Sequence, residues 1–422
     1  MSVIEIPEFC VVALVGVSSS GKSTFSKQHF KPTEVLSSDY FRALISDDEN
    51  NQDVTQQAFE TLYYVAKKRL DLGLLTVIDA TNVQKFARSQ VLRLAKDFNC
   101  PAAAIVLDIP QEIIMERNIN RPDRDLTDKI LKRQLDQLKQ SIEQLQKEGF
   151  KLIHILKNEE EIKNVQIKRI SLPNSSKNET GPFDIIGDIH GCYDELCELL
   201  QKLNYNVDVK NYTAKPPEGR KAVFLGDLCD RGFKNVEVLN LVMNMTNASD
   251  ALCIIGNHDN KLLRKLNGRN VQLTHGLDRT VEQLDTQSDE FKEKVKNFLD
   301  SLTTHYVFDH GKLVIAHAGL KEKYHGRNSD KERAFCLCGE TTGETDEYGL
   351  PVRLPWFNDY KGKALVVYGH VPCAEVLMIN NTACIDTGCV FGGKLSAYRY
   401  PENEIVQVKA KQVYYEQNVF RS

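Results

Sequence analysis

Five short polar blocks, each directly behind a run of apolar residues, constrain this chain more than any other feature. They are Asp188-Ile189-His190, Gly226-Asp227 with Asp230-Arg231-Gly232, Gly256-Asn257-His258-Asp259, His317 in Ile315-Ala316-His317-Ala318-Gly319, and His370 in Tyr368-Gly369-His370-Val371-Pro372. The runs before them, 183–186, 222–225, 252–255, 312–316 and 364–368, read as buried strands, and 382–385 reads as one more. Loops at strand ends converge on one rim, so side chains far apart in sequence can meet there.

A single histidine is ordinarily a satisfied core residue. Four of the ten histidines fall in these blocks, which points to chemistry. Asp188, His190, Asp227, Asn257, His317 and His370 form a mixed oxygen and imidazole donor set. Such a set suits borderline divalent ions, Mn²⁺, Fe or Ni²⁺, better than an all-oxygen cage for Mg²⁺ or Ca²⁺. Asp227 is the natural bridge between two ions that would lower the pKa of a bridging water and clamp phosphoryl oxygens. His258 is placed to protonate a leaving alkoxide, with Asp259 or another carboxylate orienting its ring, and Arg231 can bind the phosphate.

The N-terminal region follows a different logic. A strand at 11–15 leads into Gly16-Val17-Ser18-Ser19-Ser20-Gly21-Lys22-Ser23 and then a helix, the context a P-loop requires. Its glycines permit the tight turn that turns backbone N–H groups, with a helix N-terminus, toward phosphates. Gly16, Ser20, Gly21, Lys22, Ser23 and Thr24 are therefore the expected binders of ATP or another NTP, with Ser23 also holding Mg²⁺. Asp39, in Ser37-Ser38-Asp39-Tyr40-Phe41-Arg42, reads equally as a helix N-cap or as the base that takes a proton from an attacking hydroxyl. Arg42 could orient that base or bind an acceptor phosphate. Arg117, Arg121 and Arg124 are spaced four and three apart, which puts at least the first two on one helical face before Pro122 ends the helix, either a lid over transferring phosphate or a solvated basic face. Asp79 could be a metal partner or a turn residue and stays open.

Strands at 75–78, 103–107 and 151–156 alternate with helices around 56–70 and 88–98, predicting a parallel sheet with covered faces. One long helix is expected over 128–148, its Leu131, Leu135, Leu138, Ile142 and Leu145 seam packing on its own domain or on a second copy. The polar stretch 171–182 reads as a linker between domains 1–170 and 183–422.

The 422 residues, 41% hydrophobic and 27% charged, exclude a disordered or collagenous chain. Residues 1–170 carry 24 basic and 24 acidic side chains and the remainder 30 and 34, giving a net charge of −4. Neither half is polybasic, so contact with a polyanion must be local and a weak salt slope is expected. The apolar run at 9–17 is too short to span a membrane, and the first basic residue is Lys22. With eleven Cys, these features read as a cytoplasmic protein with reduced thiols. Cys336 and Cys338 lack a second Cys/His pair at zinc-site spacing.

The second region resembles the calcineurin-like metallophosphoesterases through its DxH, GDxxDR, GNHD, H and GH blocks. The combination with a P-loop, an SSDxxR segment and GPFDIIGDIHGCYDELCELL resembles the bacterial polynucleotide kinase-phosphatase family over essentially the whole chain. The fold implied is α/β: a P-loop kinase with a parallel sheet flanked by helices, joined to a metallophosphoesterase with a central β-sandwich covered by helices. The resemblance implies NTP γ-phosphate transfer to 5′-OH ends of RNA or DNA, and removal of 3′-phosphate, 2′-phosphate or 2′,3′-cyclic phosphate. It implies Asp39 as base, Arg42 at the acceptor, Arg117 and Arg121 on the phosphates, His258 as acid, Arg231 on the phosphate, and Asp386 supporting the metals. Expected partners are RNA or DNA termini, an RNA 3′-end 2′-O-methyltransferase or a separate ligase, with a homo-oligomer open. Full-length relatives continue into a ligase-like domain, so the length is expected to suffice for healing ends and not for joining them. The competing readings are a small-molecule kinase fused to a nucleotide or phosphoprotein phosphatase, and an NTP switch that transfers nothing.

Overall fold

The computed structural model describes residues 2–120, 126–345 and 351–416, so Arg121 and Arg124 lie outside the described residues. The chain divides into two compact units, Met1–Leu172 and Pro173–Ser422. No described helix is long and apolar enough to cross a membrane.

The first unit is built on strands Val11–Val15 (β1), Val35–Ser37 (β2), Thr76–Asp79 (β3), Ala102–Leu107 (β4) and Leu152–Leu156 (β5). They form one sheet in the order β2-β3-β1-β4-β5, parallel throughout. All five residues of β1 are buried, as a central strand with helices on both faces demands. Val11, Ala13 and Val15 face one core, with Leu62 and Leu131. Val12 and Leu14 face the other, with Phe25 and Ile105. The topology places β1 between β3 and β4, which brings Asp79 beside the P-loop.

The leucine seam is interior to this unit. Leu131, Leu135, Leu138 and Leu145 are all buried in its core, so the helix packs on its own domain. It is also not continuous: one helix spans Asp128–Ile142 and a separate turn spans Leu145–Glu148. The break places Glu148 against Arg88, a buried guanidinium whose Nε and Nη2 each donate to that carboxylate at 2.7 Å. Arg88 Nη1 also donates to Ser141 Oγ at 2.7 Å and to the Asn82 carbonyl at 3.1 Å. Periodicity cannot see such a polar knot, which overrides the apolar pattern.

In the second unit, Phe183–Ile186 (β6), Lys221–Phe224 (β7), Ala251–Cys253 (β8), Lys394–Tyr400 and Glu404–Lys409 form one five-stranded sheet. The second sheet contains His305–Phe308 (β9), Leu313–Ala316 (β10), Leu365–Tyr368 (β11), Leu377–Ile379 (β12) and Thr382–Cys384 (β13). Ile185, Val223 and Leu225 pack against Phe308, Ile315 and Val367 to form the sandwich core. Outside the first sheet lie helices carrying Leu196, Leu200, Leu239 and Val242. Most of the stretch expected as a linker, residues 173–182, is part of this unit, while Leu172 is buried in the core of the first: Val307 and Asp309 donate backbone bonds to the Asn174 and Glu179 carbonyls, at 3.0 and 2.9 Å. Turn-forming residues look like a tether in sequence, but a strand edge here satisfies their backbone.

Removing one partner of a buried ion pair strands the other charge, at about 3–5 kcal/mol. Arg88→Met should therefore destabilise the first unit by about that amount in denaturant unfolding of the full chain. A loss below about 1 kcal/mol, the size of a surface pair, would contradict the role given to this pair.

Candidate active sites

The loop after β1 is shaped for a ligand's close approach. A Cβ on Gly16 would lie 2.8 Å from Ser20 Oγ and 3.1 Å from the Leu107 carbonyl. Gly21 adopts φ +94° as N-cap of the helix Lys22–His29. Lys22 Nζ donates to the Val17 carbonyl at 2.7 Å. The Ser19 and Ser20 hydroxyls are buried with no hydrogen-bond partner, a deficit that phosphate oxygens would answer. Ser23 and Thr24 are exposed in the first helical turn. Asp79, buried at the end of β3, accepts from Ser26 Oγ at 3.3 Å. Burial pushes its carboxyl up, while the Lys22 charge and the Ser23 and Ser26 hydroxyls pull it down. These donors fit an NTP with Mg²⁺, and Asp79, undecided in the sequence, faces the same site.

Asp39 does not cap its helix. Ser37 does, its Oγ accepting from Tyr40 N as helix Ser38–Ser46 begins. The Asp39 carboxylate instead pairs with Arg42 one turn later, and the buried Arg42 also donates from Nε to the Glu49 carbonyl at 2.7 Å. Arg42 is thus fixed from both sides and orients Asp39. Arg117 pairs with Glu159, and a Cβ on Gly21 would lie 3.1 Å from its Nη1. Lys22, Asp39, Arg42, Asp79 and Arg117 line one cleft of about 2050 Å³. Sequence reasoning missed Gln134, whose Oε1 accepts from the Ser18 backbone N–H at 2.8 Å; a glutamine among exposed polar positions of an amphipathic helix carries no signal.

In the second unit each ligand candidate sits just beyond a strand: Asp188 after β6, Asp227 after β7, Asn257 after β8, His317 after β10 and His370 after β11. The structure brings these together with His190. His190 Nε2 and His317 Nε2 lie 3.5 and 3.4 Å from Asp227 Oδ2. His317 Nε2 is also 2.9 Å from Asn257 Oδ1 and 3.1 Å from His370 Nδ1. Asp188 Oδ2 accepts from the His370 backbone N–H at 3.1 Å. His190 and His317 each turn Nδ1 to a backbone carbonyl, Cys229 at 2.8 Å and Leu225 at 3.0 Å, which aims Nε2 into the site.

Two triads share Asp227: one with His190 and His258, which was expected as an acid and not as a ligand, and one with His317 and His370, the atoms of each within 4.8 Å of one another. Asp188 Oδ1 and His370 Nε2 are buried without a hydrogen-bond partner. Burial and the neighbouring Asp386 push the Asp188 carboxyl well up. Burial also acts to raise Asp227, but His317 and His258 more than reverse it. Divalent cations would answer both orphaned atoms and the carboxylate crowding, so the residues fit a two-metal centre. His190, Asp227, Asp230, Arg231 and His370 all have φ between +46° and +74°; such conformations persist only where surrounding structure enforces them. Gly256 is one enforcer, because a Cβ there would lie 2.2 Å from Asp227 Oδ1.

The carboxylate that orients His258 is Asp230, 2.6 Å from Nδ1. Thr280 Oγ1 donates to its other oxygen at 2.6 Å. Asp259 is occupied elsewhere, accepting from the Gly256 and Leu228 N–H groups at 3.0 Å each. Burial pushes Asp230 up to about 7 and His258 down to about 3. Arg231 Nη1 lies 2.7 Å from His190 Nε2, so the guanidinium is already at the metal rim. Asp386 accepts from Gly388 N at 3.0 Å. Cys336 turns inward to Glu332 Oε1 at 3.1 Å while Cys338 is exposed, so the pair diverges.

A family model for an AAA domain matches residues 11–145, and one for calcineurin-like phosphoesterases matches residues 181–401. The chain is 45% identical over 236 residues to a bis(5′-nucleosyl)-tetraphosphatase PrpE (asymmetrical) of Geobacillus sp. (strain WCH70), covering 55% of this chain and 96% of that protein. Its counterpart of the same name in Bacillus subtilis (strain 168) is 43% identical over 243 residues, covering 57% of this chain and 98% of its own. A solved structure described as a putative diadenosine tetraphosphatase aligns with TM-score 0.42 and 24% identity, covering 56% of this chain and 96% of that one.

Asp227→Asn should strip bound Mn²⁺ from the protein, read by elemental analysis after gel filtration. Asp230→Asn should keep the metal and lower phosphoester hydrolysis about 10- to 100-fold, the usual cost of losing an outer-shell partner. Metal loss in Asp230→Asn would make that residue a ligand.

Proposed function

The chain belongs, through residues 181–401, to the calcineurin-like phosphoesterase family, and from that premise we propose that it heals nucleic-acid ends. The first unit would transfer the γ-phosphate of ATP to a 5′-OH end. The second would remove 3′-phosphate, 2′-phosphate or 2′,3′-cyclic phosphate. The observation that carries this reading is the first unit's cleft: its volume of about 2050 Å³ is at least twice the roughly 300–1,000 Å³ that encloses a small ligand. Asp39 and Arg42 line this cleft together with Phe59 and the exposed Phe86, side chains on which bases can stack.

In the kinase reaction Asp39, oriented by Arg42, accepts the proton of the attacking hydroxyl. Lys22 and the loop N–H groups hold the transferring phosphate, and Arg117 spreads its charge. Mg²⁺ bound by Ser23 and Asp79 would neutralise the phosphate oxygens. In the phosphatase reaction Arg231 grips the phosphoryl group and His258 passes a proton to the leaving oxygen, resupplied across its 2.6 Å bond from Asp230, whose carboxyl burial keeps protonated toward neutral pH. Two ions, Mn²⁺ or Ni²⁺, on Asp188, His190, Asp227, Asn257, His317 and His370 would supply an activated water.

A second reading rests on the relatives' name: the second unit would cleave a dinucleoside tetraphosphate. Both substrates present a nucleoside attached to a phosphoryl group, so the same rim could serve either. An RNA methyltransferase or ligase partner belongs to the first reading only.

With γ-labelled ATP and a 5′-OH oligonucleotide, the label should move to the oligonucleotide. Asp39→Ala should cut transfer about 10²- to 10⁴-fold, the range of general-base catalysis, while leaving 3′-phosphate release intact. Label passing to nucleosides or sugars but not to the oligonucleotide would defeat the end-healing reading. Hydrolysis of dinucleoside tetraphosphate without 3′-phosphate release would favour the second one.

A further inference from the structure

We propose that Cys373 and Cys384 form an oxidant-sensitive modification site that controls the metal-ligand loop of the second unit. Their sulfurs are 4.0 Å apart, and both thiols point at one acceptor, the Val371 carbonyl, at 3.4 and 3.5 Å. Of the eleven cysteines, nine are buried; Cys338 is exposed and Cys373 is half-buried. Cys373 is therefore the accessible thiol with a second thiol beside it, the arrangement of an attacking and a resolving cysteine.

The two sulfurs stand on supports of unequal stiffness. Cys384 ends β13, buried and paired in register with Tyr368 of β11. Cys373 lies in the eight-residue loop 369–376 between β11 and β12, which is tied to the neighbouring strand end by Cys373 N donating to the Asp386 carbonyl at 3.0 Å. A disulfide needs its sulfurs about 2.05 Å apart, so closure requires movement of about 2 Å. The loop must supply it. His370 rides on that loop at φ +71°, with its ring 3.1 Å from His317 Nε2 and its N–H on Asp188. Pulling the loop toward β13 displaces a metal ligand and the group that positions another.

The co-reactant is a hydroperoxide. The Cys373 sulfur attacks the O–O bond of hydrogen peroxide, forming a sulfenic acid and releasing one water. The Cys384 sulfur then attacks the Cys373 sulfur; the S–S bond forms, the S–O bond breaks, and a second water leaves with the Cys384 proton. Two thiols are oxidised by two electrons and one peroxide is reduced. A thiol reductant reverses the step.

The functional half of this proposal rests on the second unit being a metal-dependent phosphohydrolase. The full chain carrying Cys338→Ser, loaded with Mn²⁺, is treated with hydrogen peroxide, digested and mapped by mass spectrometry. A peptide linking Cys373 to Cys384 is expected, with phosphoester hydrolysis reduced about 10- to 100-fold, the cost of disturbing a ligand's support, and restored by dithiothreitol. Adding Cys373→Ser should keep activity through the same treatment. No linked peptide would overturn the site, and a linked peptide with unchanged activity would overturn its control of the loop. Equal, irreversible inactivation of the Cys373→Ser protein would do the same. A reduced protein that hydrolyses no phosphoester sinks the phosphohydrolase reading itself, while the peptide map still decides whether the disulfide forms.

Discussion

The second unit is organised around one buried carboxylate. Asp227 lies beyond β7 with φ +47°, its Oδ2 about equally distant from His190 and His317 and its Oδ1 accepting from His258 N at 2.9 Å. A charge so enclosed survives only when its surroundings answer it. The backbone pays through left-handed conformations at five site residues and through glycines where no side chain fits. The sandwich brings both sheets' strand ends to this point: Asp188, His190, Asp227 and Asn257 follow strands of the first sheet, and His317 and His370 follow strands of the second.

The first unit solves a different problem with the same economy of means. A strand buried on both faces delivers a glycine loop whose hydroxyls lack partners, and the parallel order places Asp79 on the adjoining strand. Ser37 takes the cap and so leaves Asp39 to Arg42. A helix cap and a carboxylate held by an arginine draw on the same short polar residue types, and here Ser37 takes the first role and Asp39 the second.

Both sites lie where backbone geometry is least forgiving. The Cys373–Cys384 pair is one place where a small covalent change could reach the metal ligands, because a short loop joins it to His370. Its effect would be local, as Cys384 stands on a sheet and only the loop can yield.

The sequence alone determined the α/β class of both regions and the strands that lead into the motif blocks, because apolar runs followed by rigid motif spacing have few other physical solutions; strands without such a motif, such as 305–308, 394–400 and 404–409, carried no comparable signal. It could not assign Asp79, whose role depends on β3 lying beside β1, nor choose between Asp230 and Asp259, which differ in what burial places next to them. It could not see the knot of Arg88, Ser141 and Glu148, which breaks a helix that periodicity predicts as continuous, nor that residues 173–180 lie along a strand edge. Those outcomes were decided by tertiary structure, since desolvated charges and unpaired backbone groups take their partners from wherever the fold brings them.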